Sequence, residues 1–237
     1  MCIFNLGQIT NNKDKFTNVY VDDSVDKEFA NNVISQYEAL NSVFGDGTVK
    51  NIIILDSPTD IKKMSNDNKR VSRFLNGKGR IAFGLHTRKD DTICIIQSNH
   101  LRKNEAYEGD LETQGADTLT HEFGHSLDKK LSTSEEFKAA YLLDLLEFER
   151  NLSENPDEKI AGSDMSYKEA RQYFRHYLRG VNFSDGIDRR DLTRRGLREN
   201  FAESFSIVFD SSKSEVNDIY TSIFSNSVET VENMFVA

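Results

Sequence analysis

Apolar residues recur along this chain in two rhythms, and the change between them divides it. Residues 1–23 carry little periodicity beyond Phe16, Val19 and Val21 and are read as an arm or an edge strand. From Ser24, the positions Val25, Phe29, Val33, Tyr37, Leu40 and Phe44 fall at helical spacing, which predicts an amphipathic helix. Gly45-Asp46-Gly47 stops it. Val49 to Leu55 is a β-branched apolar run that predicts a central strand. Ser57-Pro58-Thr59-Asp60 turns into a polar helix expected to run to about Leu75, closed by Asn76 to Gly79. Ile81 to Leu85 and Thr92 to Ile96 read as two more strands, and the polar turn at 87–91 makes them a hairpin. A polar loop, Ser98 to Gly115, follows.

Beyond it the rhythm is helical. Around Thr118 to Asp128, the positions Ala116, Leu119, Phe123 and Leu127 fall on one side, so one face is predicted to be buried. Ser132-Thr133-Ser134-Glu135-Glu136 is a capping signal. Phe137, Ala140, Tyr141, Leu145 and Phe148 carry that helix to about Leu152, where Asn155-Pro156 breaks it. Tyr167 to Leu178 and Arg194 to Asp210 read as further helices, and Val216 to Phe235 as a final helix or pair. The expected class is α+β, with a small mixed sheet of about three to four strands and a mainly helical C-terminal half. No repeat or low-complexity linker marks a domain boundary, so 24–237 reads as one domain.

Composition narrows the function. With 237 residues, 37% hydrophobic and 29% charged, the chain has the make-up of a soluble globular protein. A net charge of −9 argues against nucleic-acid partners and anionic membrane surfaces, both of which reward clustered positive charge. No run of about 18 apolar residues provides a membrane span. Cys2 and Cys94 are far apart and lack a metal-ligand spacing, which excludes a disulfide framework; Cys94, in an apolar run, is expected to be a buried thiol. The opening residues lack the basic segment and long apolar core of a secretory signal. Action inside the producing cell and export by another route both stay open. So does the chain's being an excised domain.

The chemistry sits in His121-Glu122-Phe123-Gly124-His125, an H-E-x-x-H pattern. At about 100° per residue, the two histidines lie one turn apart on one helix face, suited to two corners of a tetrahedral Zn²⁺ site. Glu122 lies further round, where a carboxylate serves as general base without ligating the metal. A mononuclear peptidase site needs a third protein ligand. The extended pattern H-E-x-x-H-x-x-G-x-x-H fails, because Asp128 and Leu131 occupy its last two defined positions. The downstream candidates are His176, in a charged helix where exposure is the ordinary expectation, and the pair Glu199 and Glu203. That pair shares one face of a helix whose buried side is Phe201, Phe205 and Val208. Two carboxylates one turn apart on a semi-apolar helix need a positive partner, which a metal and its histidines supply.

These two stretches together, His-Glu-Phe-Gly-His-Ser-Leu-Asp at 121–128 and Glu-Asn-Phe-Ala-Glu-Ser-Phe at 199–205, resemble the anthrax lethal factor-like catalytic domain. That family includes the lethal factor protease and the secreted Pro-Pro endopeptidases. The likeness covers roughly residues 24–210 and implies a zincin-like fold with a gluzincin arrangement. It implies one Zn²⁺ per chain, held by His121, His125 and Glu199, with Glu122 as the base in peptide-bond hydrolysis. It implies that Glu203 orients a ligand histidine, and it matches Asp128 to the aspartate that follows the motif. The substrate is expected to be an extended protein or peptide segment lying along a cleft-edge strand near 92–97.

The chain departs from that family at two points. Leu192 stands where the family has a tyrosine that donates to the developing oxyanion, a loss that commonly costs roughly 10²–10³ in rate. Tyr173, Tyr177 and His176 are the candidate replacements. The segment between His125 and Glu199 is also longer than usual, with a helical insertion at about 151–190. The basic cluster Arg189, Arg190, Arg194, Arg195 and Arg198 reads as a salt-bridged surface among Asp185, Asp188 and Asp191, with contact to an acidic substrate the sharper alternative. Two other functions compete with a lethal factor-like protease. One is an intracellular regulatory zinc peptidase that cleaves a repressor; the other is a catalytically weak, zinc-containing binding domain.

Overall fold

The computed structural model describes residues 2–5, 17–45, 48–57, 83–88, 91–98, 111–132, 134–175, 177–178, 194–209 and 215–235. It is an α+β structure with one mixed sheet and a mainly helical C-terminal half. Its elements are β1 (Cys2–Asn5), β2 (Asn18–Val21), α1 (Lys27–Phe44), β3 (Asn51–Leu55), β4 (Gly84–Thr87) and β5 (Thr92–Ile96), then α2 (Leu111–Leu131), α3 (Glu135–Glu154), α4 (Tyr167–Tyr173), α5 (Arg194–Phe209), α6 (Glu215–Ile223) and α7 (Ser225–Phe235). The chain divides into two compact units, Met1–Ser126 and Leu127–Ala237, and the division falls within α2.

The first unit is built on the sheet, in the order β1-β2-β3-β5-β4. The two inner pairings, β2 with β3 and β3 with β5, are parallel; β1 and β4 run antiparallel to their neighbours. Among the described residues the sheet has five strands, more than the three to four expected, because both β1 and β2 come from the weakly patterned start of the chain. Register places Val19, Ile52 and Ile93 in one row and Val21, Ile54, Ile95 and Gly84 in the next, all on one face. On the other face Leu55, Cys94 and Ile96 form a core cluster with Ile53 and Leu85.

Helix α1 starts where the Asp26 side chain accepts from the amides of Glu28 and Phe29, and stops at Gly45, whose φ of 81° suits glycine. Its buried stripe is Phe29, Ala30, Val33, Tyr37 and Leu40. Helix α2 begins at Leu111, so the polar loop expected up to Gly115 is shorter than its composition implies. Gly115 lies inside the helix because α1 is that close: a Cβ there would stand 2.7 Å from the Phe29 ring and 2.9 Å from Val33 Cγ2. Phe123 packs against the rings of Tyr37 and Phe44, and Gln36 Nε2 donates to Thr120 Oγ1 at 2.9 Å.

The expected docking strand needs correcting. β5 pairs with β3 on one side and β4 on the other, and all five of its residues are buried. With both edges already bonded, β5 cannot accept a substrate strand; among the described residues the sheet edge on that side is β4. The predicted polar helix at 57–75 lies outside the described residues, apart from its first residue.

The second unit is helical. Ser134 caps α3 by accepting from the Phe137 amide at 3.1 Å, and Ser166 with Glu169 forms a capping box at the start of α4. α4 ends at Tyr173 instead of continuing to Leu178. Phe174 leaves the helix, and the amides of Tyr177 and Leu178 turn back onto its carbonyl. That turn sends Phe174 and Leu178 into the interior and joins Tyr177 to a ring cluster with Phe174, Tyr220 and Phe224. The tail is a pair of helices, α6 and α7. Among the described residues no helix is long and apolar enough to cross a membrane.

Candidate metal centre

Helix α2 sets its chemistry by its packing. Leu119 and Phe123 are fully buried, which turns His121 and His125 to the other flank of the helix. His121 is half-buried and His125 is buried. Their rings stand edge to face, centroids 4.9 Å apart and planes at 88°. Helix α5 buries Leu197, Phe201, Ala202 and Phe205, and this leaves Glu199 and Glu203 on a less buried flank. His121, His125 and Glu199 form a group whose ligand atoms all lie within 4.8 Å of one another. Two neutral imidazoles and a carboxylate at that spacing fit a divalent ion, which would offset the cost of a half-buried carboxylate.

Glu122 is buried at 8% exposure, against β4. A Cβ on Gly84 would stand 2.8 Å from Glu122 Cγ and 3.1 Å from its Oε1, so the glycine makes room for the carboxylate. On the opposite face of the sheet, burial first and the nearby Glu122 second push the Cys94 thiol up to about 12.

The remaining candidates separate. Glu203 Oε2 accepts from the Tyr177 hydroxyl at 2.9 Å. Burial, followed by the charge of Glu203 and by Tyr220, holds that phenol well above its ordinary range, so Tyr177 keeps its proton and donates a hydrogen bond to Glu203. Tyr173 is 39% exposed, with its ring edge-on to Phe174. His176 and Leu192 lie outside the described residues. Asp128 is almost fully buried at 1%; its Oδ2 accepts from Arg198 Nε at 2.5 Å and its Oδ1 from Ser132 Oγ at 3.1 Å.

Sequence reading missed three of these contacts: Gly84 against Glu122, Tyr177 on Glu203 and Arg198 on Asp128. A glycine within a short strand is a sign of close backbone approach, so the first had a signal. Each of the others joins residues far apart in the chain and had none. In comparisons with known proteins, no family model, curated protein or solved structure matches this chain.

Proposed function

We propose that this chain is a zinc-dependent metalloendopeptidase of the zincin type that hydrolyses peptide bonds in a protein substrate. The observation that carries the reading is the clustering of His121, His125 and Glu199 on the helix-borne H-E-x-x-H pattern. In this reading those three side chains hold the ion. Zn²⁺, when bound, supplies Lewis acidity that activates water and polarises a carbonyl. Glu122 is the base: its carboxylate takes a proton from the attacking water and returns it to the leaving amine. The substrate lies extended along β4, the sheet edge whose Gly84 adjoins Glu122.

Metal analysis with a peptide-library cleavage assay tests this. The protein is expected to take up one Zn²⁺ per chain and to cleave. Glu122→Ala should keep the metal and lose cleavage, and Glu199→Ala should lose metal affinity. A second reading, a zinc-containing binding domain with little catalytic power, is favoured by Leu192 and by the hydrogen bond that commits the Tyr177 hydroxyl to Glu203. Stoichiometric zinc with cleavage no better than in Glu122→Ala would select it.

A further inference from the structure

Arg198 stands immediately before Glu199 in α5, and its guanidinium is held by a carboxylate on the helix that carries the histidines. Asp128 follows His125 by three residues, one turn along α2, and is 1% exposed. A carboxylate so buried needs hydrogen-bond or charge partners, and Asp128 forms an ion pair with Arg198. Ser132 Oγ holds the other oxygen, so the acceptor is fixed in direction as well as in place. Neighbouring residues on a helix point about 100° apart. Tying Arg198 to Asp128 therefore fixes the rotation of α5 about its axis and the height of Glu199 along α2. A slip of one residue in α5 would break the pair and swing Glu199 away from the imidazoles.

We infer that the Asp128–Arg198 pair is a positioning device that presents Glu199 to the metal, so that Arg198 sets metal affinity without touching the ion. This rests on the metal-centre reading above. The test compares zinc affinity, by competition against a chromophoric chelator, in the parent, Arg198→Met and the double variant Asp128→Asn/Arg198→Met. The double variant removes the stranded buried charge that could prevent the single one from folding. Phe148→Leu, a core change in α3, serves as a control for general destabilisation.

Both Arg198 variants are expected to bind zinc roughly 10- to 100-fold more weakly than the parent, the usual scale for residues that support a ligand. Their Co²⁺ ligand-field spectra should move towards that of Glu199→Ala, while Phe148→Leu keeps the parent's affinity and spectrum. A double variant that binds zinc within twofold of the parent overturns the inference and leaves the metal-centre reading intact. A parent that binds no zinc overturns both.

Discussion

At Gly84 one methyl group is enough to disturb Glu122. Alanine there would place its Cβ 2.6 Å from Thr118 Cγ2 and 2.8 Å from Glu122 Cγ, both atoms near the helix backbone and unable to swing clear. Gly84→Ala is expected to destabilise the protein by about 1–3 kcal/mol, the usual scale for overpacking. It should also lower hydrolysis more than metal binding; melting curves, zinc titration and turnover measure the three effects. Tyr177→Phe removes a hydrogen bond that Glu203 accepts and leaves a partly buried carboxylate one donor short. A loss of about 1–3 kcal/mol follows, together with weaker metal binding if Glu203 orients a ligand, and calorimetry with chelator competition reads both. The imidazole pair was legible in the sequence because four residues of helix fix its geometry locally. Gly84, Tyr177 and Arg198 act across long stretches of chain, and only folding brings them to their partners.

Among the elements, α3 and α7 share a buried carboxylate as well as their apolar packing. Asp144, 1% exposed on α3, accepts from the amides of Asn226 and Ser227 and from both their side chains, at 2.6–3.0 Å. It thus satisfies amides at the start of α7 that the helix itself leaves open. Burial is the largest influence on this group and raises its pKa above 3.8, while the hydrogen bonds from Ser227 and Asn226 pull the other way. The folded state therefore binds the proton more tightly than the unfolded chain. The associated stability is full below the unfolded value and is lost as pH rises from about 3.8 through the raised folded value. Asp144→Asn should abolish that part of the pH dependence and, by facing an amide towards donors, cost about 1–3 kcal/mol. Denaturant midpoints across acid pH in both proteins provide the measurement. The helices themselves were legible from capping residues and apolar spacing, as at Ser134 and Phe137. The premature end of α4 was not, since the inward turn at Phe174 answers to the ring cluster of the second unit and not to any local breaker.

At the scale of the molecule, the α+β class and the mainly helical second half followed from the two rhythms of the sequence, whereas strand order did not. Periodicity gives faces but not neighbours, and so the sheet edge was assigned to β5 when it belongs to β4. Metal removal is the molecule-wide test of the centre. A ligand that binds only the folded state stabilises by about 2.7 kcal/mol at 100 times its Kd, so chelation should lower the melting temperature of the parent and leave Glu199→Ala nearly unmoved. Cys94 offers a different kind of measurement. Its thiol is 4% exposed, pushed up to about 12, and flanked in register by Ile53 of β3 and Leu85 of β4. Alkylating reagents attack thiolates, so in the folded chain this cysteine is chemically silent. In a Cys2→Ser background its labelling rate becomes a clock for the opening of the strands beside Glu122. A peptide that docks along β4 should slow that clock before any bond is cut.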